Sequence, residues 1–235
     1  MTVKKRESAL SLKVVVASLK GGGGKSNITA NLAVAFQNKG MSVVVIDSDR
    51  AMSTSEQWHD DREEYIDDHP DDGVTLVPVV KKTGRLGNTI DELANSYNVV
   101  LIDTGGQDSP EMRSSLGSVD IALTPVEPTQ ESLDGVEPFV DIINKVRDLG
   151  ADLETVAVLS RVLPHSPKRV TDAHEYLKGF QADDGLLITS AAISNRVAYP
   201  DSKSLGLSVV ESKDAAAKAE VEALAEELLN IAKGH

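Results

Sequence analysis

Cysteine is absent from the 235 residues, which excludes disulfide bonds and thiolate metal sites. Aromatic residues are scarce, at 3% against an apolar fraction of 40%. A core built from this chain must therefore be aliphatic, chiefly Val, Leu, Ile and Ala. Basic residues are also short: 24 Lys and Arg face 37 Asp and Glu, a formal net charge of -13. That balance argues against a broadly basic nucleic-acid-binding face and leaves room only for a local patch. The five histidines are scattered, and none stands at a metal-ligand spacing with nearby acids. No apolar run is long enough to span a membrane, and no signal-peptide stretch follows Lys4, Lys5 and Arg6. The expectation is a soluble cytoplasmic protein without membrane attachment. Its length fits one large domain, residues 1–235, with residues 1–11 as a flexible tail.

What is present is concentrated at one place. An apolar run, Leu12 to Ala17, leads into Lys20-Gly21-Gly22-Gly23-Gly24-Lys25-Ser26. The order reads as strand, glycine-rich turn and helix start. Glycines let the backbone curl and aim its N–H groups at one point, and a helix N-terminus adds unpaired donors. Lys25 supplies a mobile positive charge and Ser26 a hydroxyl suited to Mg²⁺. The set suits a nucleoside triphosphate. It departs from the common P-loop pattern G-x-x-x-x-G-K-[ST], because Leu19 occupies the first Gly position. Lys20 is a second lysine, five residues ahead of the usual one. It is either an ordinary solvent lysine or a charge that crosses a dimer interface to the other subunit's phosphates.

Downstream, strand and helix patterns alternate. Strands are expected at Ser42–Ile46, Val74–Val80, Asn98–Ile102, Val119–Thr124, Thr155–Leu159 and Leu186–Ile188. Helices are expected at Ser26–Asn38, Leu86–Ala94, Ser132–Leu149, Lys168–Leu177 and Asp214–Ile231, with a further helix capped by Ser53. Pro138 must kink the Ser132–Leu149 helix or mark its first turn. The span Glu56 to Asp72 carries nine acids and one basic residue, Arg62. It reads as a solvated helix face and loop, or as a docking surface for a basic partner. This alternation predicts a three-layer α/β/α sandwich with a mostly parallel central sheet. Ligands in such folds sit beyond the C-terminal strand ends. The glycine loop, Asp47, Asp49, Asp103, Pro125 and Arg161 are all expected at or just beyond strand ends.

Asp103 ends an apolar strand and is the natural partner of a phosphate-bound Mg²⁺, through water. Asp47 and Asp49 stand two apart at another strand mouth, where alternation points them the same way. One of them would orient metal-bound water and the other the attacking water; a simple capping pair is the plainer alternative.

Together these motifs resemble the ParA/MinD group of deviant Walker ATPases, closest to small ParA-type plasmid or chromosome partition ATPases. The family's K-G-G-x-G-K-[ST] is Lys20 to Ser26, its V-x-x-I-D-x-D is Val43 to Asp49, and its P-V-x-P is Pro125 to Pro128. Its later segments match Arg196-Val197-Ala198-Tyr199 and Gly206-Leu207-Ser208-Val209. The resemblance implies a P-loop NTPase using ATP and Mg²⁺, and an ATP-bound homodimer in which Lys20 reaches the opposite site. Lys20, Lys25, Asp49 and Asp47 become the catalytic candidates. Gly21, Gly22, Gly23, Gly24, Lys25, Ser26 and Asn27 would bind the phosphates. Pro125, Pro128 and Arg161 lie in the region expected to meet the base, and Ser26, Asp103 and Asp47 would serve the metal, the two acids through water. Turnover would be weak and raised by a ParB-like or centromere-binding adaptor.

The dimer would bind DNA non-specifically and associate with the nucleoid, with Lys168, Arg169, Arg196, Lys203 and Lys213 as candidate contacts. The alternative is an ATPase that positions a protein cargo or complex. Three departures stand out from the usual pattern: Asn27 for a second Thr, Arg50-Ala51 for Pro-Gln, and Thr104-Gly105-Gly106 for x-Pro-Pro.

Overall fold

The computed structural model describes residues 11–234. The expected N-terminal tail lies outside the described residues apart from Ser11. Seven strands form one sheet in the order β3-β2-β4-β1-β5-β6-β7, and every pairing is parallel. They are β1 (Leu12–Val16), β2 (Val43–Asp47), β3 (Val79–Lys81), β4 (Val99–Asp103), β5 (Ile121–Val126), β6 (Glu154–Val162) and β7 (Leu186–Ser194). The central strands are buried almost throughout, as parallel strands covered on both faces must be.

Residue alternation sorts the core into two layers. Val14, Val16, Val43, Val45, Val99 and Leu101 pack against Leu32 and Phe36 of α1 (Lys25–Asn38) and Leu224 and Leu228 of α9 (Ala215–Lys233). Val15, Val44, Ile46, Val100 and Ile102 face the other way. They meet Ile90 of α3 (Gly87–Ala94), Met112 and Leu116 of α4 (Pro110–Leu116), and Phe139 and Ile143 of α6 (Val136–Asp148). A third cluster joins β5, β6 and β7 to Ala173 and Leu177 of α7 (Pro167–Asp184). The expected three-layer sandwich is therefore present. No helix among the described residues is long and apolar enough to cross a membrane.

Several boundaries differ from the sequence reading. The stretch from Val74 yields only the three-residue edge strand β3, which begins after Pro78 because proline cannot donate to the ladder. The long helix from Ser132 is two: α5 (Gln130–Leu133) and α6, parted at Asp134-Gly135. Pro138 falls in the first turn of α6, where its missing N–H costs nothing. Helix α4 is additional, although Ser109 caps it and Pro110 opens it. The segment after Ala191 completes β7 and forms α8 (Ala198–Lys203). Arg62, on the acidic α2 (Thr54–Asp68), is fully buried, so part of that helix is core.

Candidate functional site

The glycine loop runs from β1 into α1 at the C-terminal edge of the sheet. Gly22 and Gly24 have φ of 82° and 87°, the left-handed region that glycine adopts without strain. Gly24 is the N-cap of α1, whose first turn holds no acidic residue. Its N–H groups are thus not opposed by a local carboxylate. The Lys25 ammonium is held by Ser18 Oγ at 3.2 Å and the Lys20 carbonyl at 3.1 Å. Burial pulls it below the ordinary lysine range, against the fields of Asp103 and Asp49. Ser160 Oγ donates to the Gly23 carbonyl at 3.2 Å, tying β6 to the loop. A Cβ on Gly106 would lie 2.5 Å from Gly21 Cα, so the post-β4 loop can rest on the glycine loop only with glycine there.

A cleft of about 810 Å³ opens above this loop. Residues 21–28, Asp49, Thr104, Gly106, Pro128, Ser160 and Arg161 help line it. Asn27 contributes to the wall, and its side-chain oxygen accepts from Asn31 Nδ2.

The three acids differ. Asp103 is buried; its Oδ2 accepts from Ser55 Oγ at 2.7 Å, and its Oδ1 has no hydrogen-bond partner within normal distance among the described residues. Burial raises this carboxyl to about 6, against the Ser26 and Ser55 hydroxyls and Lys25, with Asp47 adding to the rise. An unpartnered buried oxygen beside Lys25 and the Ser26 turn suits a hard cation that keeps most of its shell as phosphate and water. No group of three or more His, Asp or Glu among the described residues forms a protein-only metal cage. The residues therefore fit Mg²⁺ carried in with a nucleotide.

Asp47 and Asp49 do not share a direction. β2 ends at Asp47, so strand alternation no longer governs Asp49. Asp47 is fully buried and outside the cleft lining. Its Oδ2 accepts the N–H groups of Ser55 and Glu56, each at 3.1 Å, and so caps α2 from a distance. Its Oδ1 accepts from the Asp49 N–H and from Lys81 Nζ, each at 3.1 Å. With four donors, the carboxylate assigned above to catalysis and metal is committed to holding its own loop. Ser53, the expected cap, makes no side-chain cap bond and accepts from Lys81 Nζ instead. Asp49 does line the cleft; its Oδ1 accepts from the N–H groups of Ala51 and Met52.

Lys20 lies outside the large cleft. It lines a smaller cavity of about 110 Å³, half exposed, with Nζ 3.5 Å from Glu131 Oε1. Pro125 lies within β5 and lines that same smaller cavity, whereas Pro128 and Arg161 line the large one. Arg161 has φ of 51°, rare for a non-glycine residue, and pairs with Glu127 at 3.1 Å.

The five candidate DNA contacts divide between the cleft lining and the exposed surface outside it. Arg169, Arg196 and Lys203 line the cleft. Arg196 is held by Glu220 at 3.0 Å and Asp214 at 3.9 Å. Burial lowers the Lys203 ammonium against the fields of Asp103 and Asp61. Lys168 and Lys213 are exposed elsewhere. Ser18, Ser55, Lys81 and Glu111, which bond to Lys25, Asp103, Asp47 and Arg50, are supporting residues that the sequence reading missed; Glu111 is buried and accepts from Arg50 Nε at 2.7 Å and the Gly84 N–H at 2.6 Å. None carries a local motif.

A parallel sheet, a glycine loop with two lysines and a cleft at the C-terminal strand ends define a P-loop ATPase of the ParA/MinD superfamily, an ATP-hydrolysing enzyme. Within that class, residues 12–169 match the model of the ATPase MipZ family, and the chain belongs to it. Protein IncC of Escherichia coli is 26% identical over 250 residues, covering 91% of this chain and 68% of IncC. Apo McdA of Cyanothece superposes with a TM-score of 0.72 at 16% identity, covering 93% of this chain and 99% of McdA. The Aquifex aeolicus MinC:MinD cell division complex gives 0.72 at 20% identity, covering 94% of this chain and 96% of the matched chain. The structural likenesses establish the fold.

Proposed function

We propose that this chain is an ATP-dependent dimerising switch whose output is to position a protein cargo or complex. The observation that carries the choice of output is the placement of the basic residues. Three of the five that could have met DNA line the nucleotide cleft, and the remaining surface belongs to a chain of net charge -13. A protein partner also has a counterpart in the relative that forms a complex with MinC. Non-specific DNA binding through the exposed Lys168 and Lys213, with a centromere-binding adaptor as partner, is the second reading.

In this reading, ATP lies along the glycine loop with its phosphates on the N–H groups of residues 21–27. Lys25 leaves its carbonyl and hydroxyl partners for the terminal phosphates. Ser26 and Asp103 would hold Mg²⁺, which supplies charge neutralisation of the phosphate oxygens when bound. Asp49 accepts a hydrogen bond from the attacking water and orients it toward the γ-phosphorus. The water oxygen bonds to that phosphorus as the bond to the bridging oxygen breaks; the proton the water gives up passes to the solvent or the phosphate, and ADP and inorganic phosphate form. Lys20 leaves Glu131, enters the partner's site and offsets the charge that develops there. ATP thus favours the paired state, and hydrolysis removes it. Pro128 and Arg161 flank the base.

Molar mass in solution tests the proposal, measured with ADP, ATP and a slowly hydrolysed ATP analogue, each with and without DNA across a salt series. The expected result is a doubled mass with ATP or the analogue, unchanged by DNA. DNA binding that appears only with ATP and falls steeply with salt would establish the partition reading instead.

A further inference from the structure

Strand β3 lies at the sheet edge, and its last residue, Lys81, stands opposite Asp47 in the parallel register. An edge-strand lysine ordinarily faces water. Lys81 instead donates to Asp47 Oδ1 at 3.1 Å, the Asp49 carbonyl at 2.7 Å and Ser53 Oγ at 2.6 Å. Neutralising the buried Asp47 carboxylate requires only the first contact. The other two fall on the loop between β2 and α2, near its start and at its end. Asp47 Oδ1 also accepts the Asp49 N–H at 3.1 Å. One ion pair therefore grips Asp49 by its peptide N–H on one side and its carbonyl on the other. The Asp49 carboxylate is then turned by the N–H groups of Ala51 and Met52, next to a loop where Gly105 leaves room for it.

We propose that Lys81 is a positioning residue for hydrolysis, acting on Asp49 through the main chain. The proposal rests on the reading of Asp49 as the residue that orients water. Lys81 is outside the cleft lining, so it acts on the site through Asp47 and the loop that carries Asp49. Its effect belongs on the rate of the chemical step and not on nucleotide affinity. A shift of the Asp49 carboxylate by a fraction of an ångström loosens the alignment of the attacking water, and small misplacements of this kind are costly in rate.

The test compares Lys81→Met, Lys81→Arg and Asp49→Asn in the full chain with Mg²⁺. Single-turnover ATP hydrolysis gives the rate, titration with a fluorescent ATP analogue gives the affinity, and amide exchange reports the loop. Lys81→Met is expected to slow hydrolysis roughly tenfold while affinity stays within about twofold. Exchange should rise at residues 49–53 and stay unchanged in α1. Lys81→Arg should recover most of the rate. Wild-type hydrolysis in Lys81→Met, a loss of affinity that matches the loss of rate, or no recovery in Lys81→Arg overturns the proposal. Wild-type hydrolysis in Asp49→Asn overturns the underlying reading of Asp49 itself. Should Lys81→Met lack a cooperative unfolding transition, Lys81→Gln keeps a donor for the carbonyl and hydroxyl and carries the same comparison.

Discussion

Two clusters of buried charge differ in one respect. Arg62 has no exposed surface, and the chain supplies all its partners. Nε donates to the Thr75 carbonyl at 2.8 Å, Nη1 to the Gly206 carbonyl and Glu211 at 3.0 Å each, and Nη2 to Glu211 at 2.6 Å. The Trp58 ring lies beneath the guanidinium at 5.3 Å. Gly206, at φ +68°, lets its strand of backbone touch α2, where a Cβ would meet Arg62 N at 2.2 Å. The Lys25–Asp103 cluster is buried too, but incomplete. Asp103 Oδ1 has no hydrogen-bond partner among the described residues, and Lys25 rests on two neutral oxygens. A buried polar group without partners costs free energy. The saturated cluster is a fixed joint between α2 and the Val209–Glu211 turn, whereas the unsaturated one stores a demand that a ligand can meet.

Breaking the saturated cluster should have the largest effect. Arg62→Ala leaves Glu211 without its counter-charge and opens a cavity beside Trp58. The expected loss is about 3–5 kcal/mol of unfolding free energy, read from urea denaturation. A loss under about 1 kcal/mol would mean that water reaches the joint and that it is not saturated by protein alone.

The unsaturated cluster should respond with the opposite sign. Burial holds the Asp103 carboxyl up to about 6, so at neutral pH its charge opposes folding. Asp103→Asn keeps an acceptor for Ser55 and removes that charge. The nucleotide-free protein should gain on the order of 1–2 kcal/mol. Adding Mg²⁺ and ATP should then raise the unfolding midpoint less than in wild type, because the gain from binding is smaller. Destabilisation of the nucleotide-free variant would place Asp103 with Arg62, as a structural charge.

This contrast marks how far the sequence could be read. The parallel sheet was legible because Val14–Val16, Val43–Ile46 and Val99–Ile102 are apolar runs of strand length followed by turn residues. The glycine loop was legible because its chemistry is local, within seven consecutive residues. Asp103 was legible by its place at a strand end. Arg62 was not, since its partner Glu211 is 149 residues away and its immediate neighbours are acidic and solvated. Asp47 looked like a twin of Asp49 because both follow one strand. Only the position of β3 and the start of α2 reveal that its oxygens are already taken. Lys81 reads as an ordinary edge lysine until the register sets it opposite Asp47, 34 residues back. Local spacing finds the glycine loop and the strand-end acids; the groups that hold them in place are long-range and leave no local pattern.

Lys20 gives the smallest effect on stability, and the sharpest separation of fold from function. It sits five residues from Lys25 yet remains exposed, and its only ion pair among the described residues is with Glu131, itself 82% exposed. A pair screened that well by water contributes little. Lys20→Ala should therefore leave the unfolding free energy within about 0.5 kcal/mol of wild type. If Lys20 completes the partner's site, the same variant should bind ATP but fail to double its mass with the slowly hydrolysed analogue. A variant that pairs and hydrolyses normally would make Lys20 a solvent lysine and leave each chain with a complete site of its own. A variant that unfolds early would show instead that the smaller cavity, where the Lys20 stem packs 3.4 Å from the point a Cβ on Gly135 would occupy, is part of the joint between the glycine loop and α5.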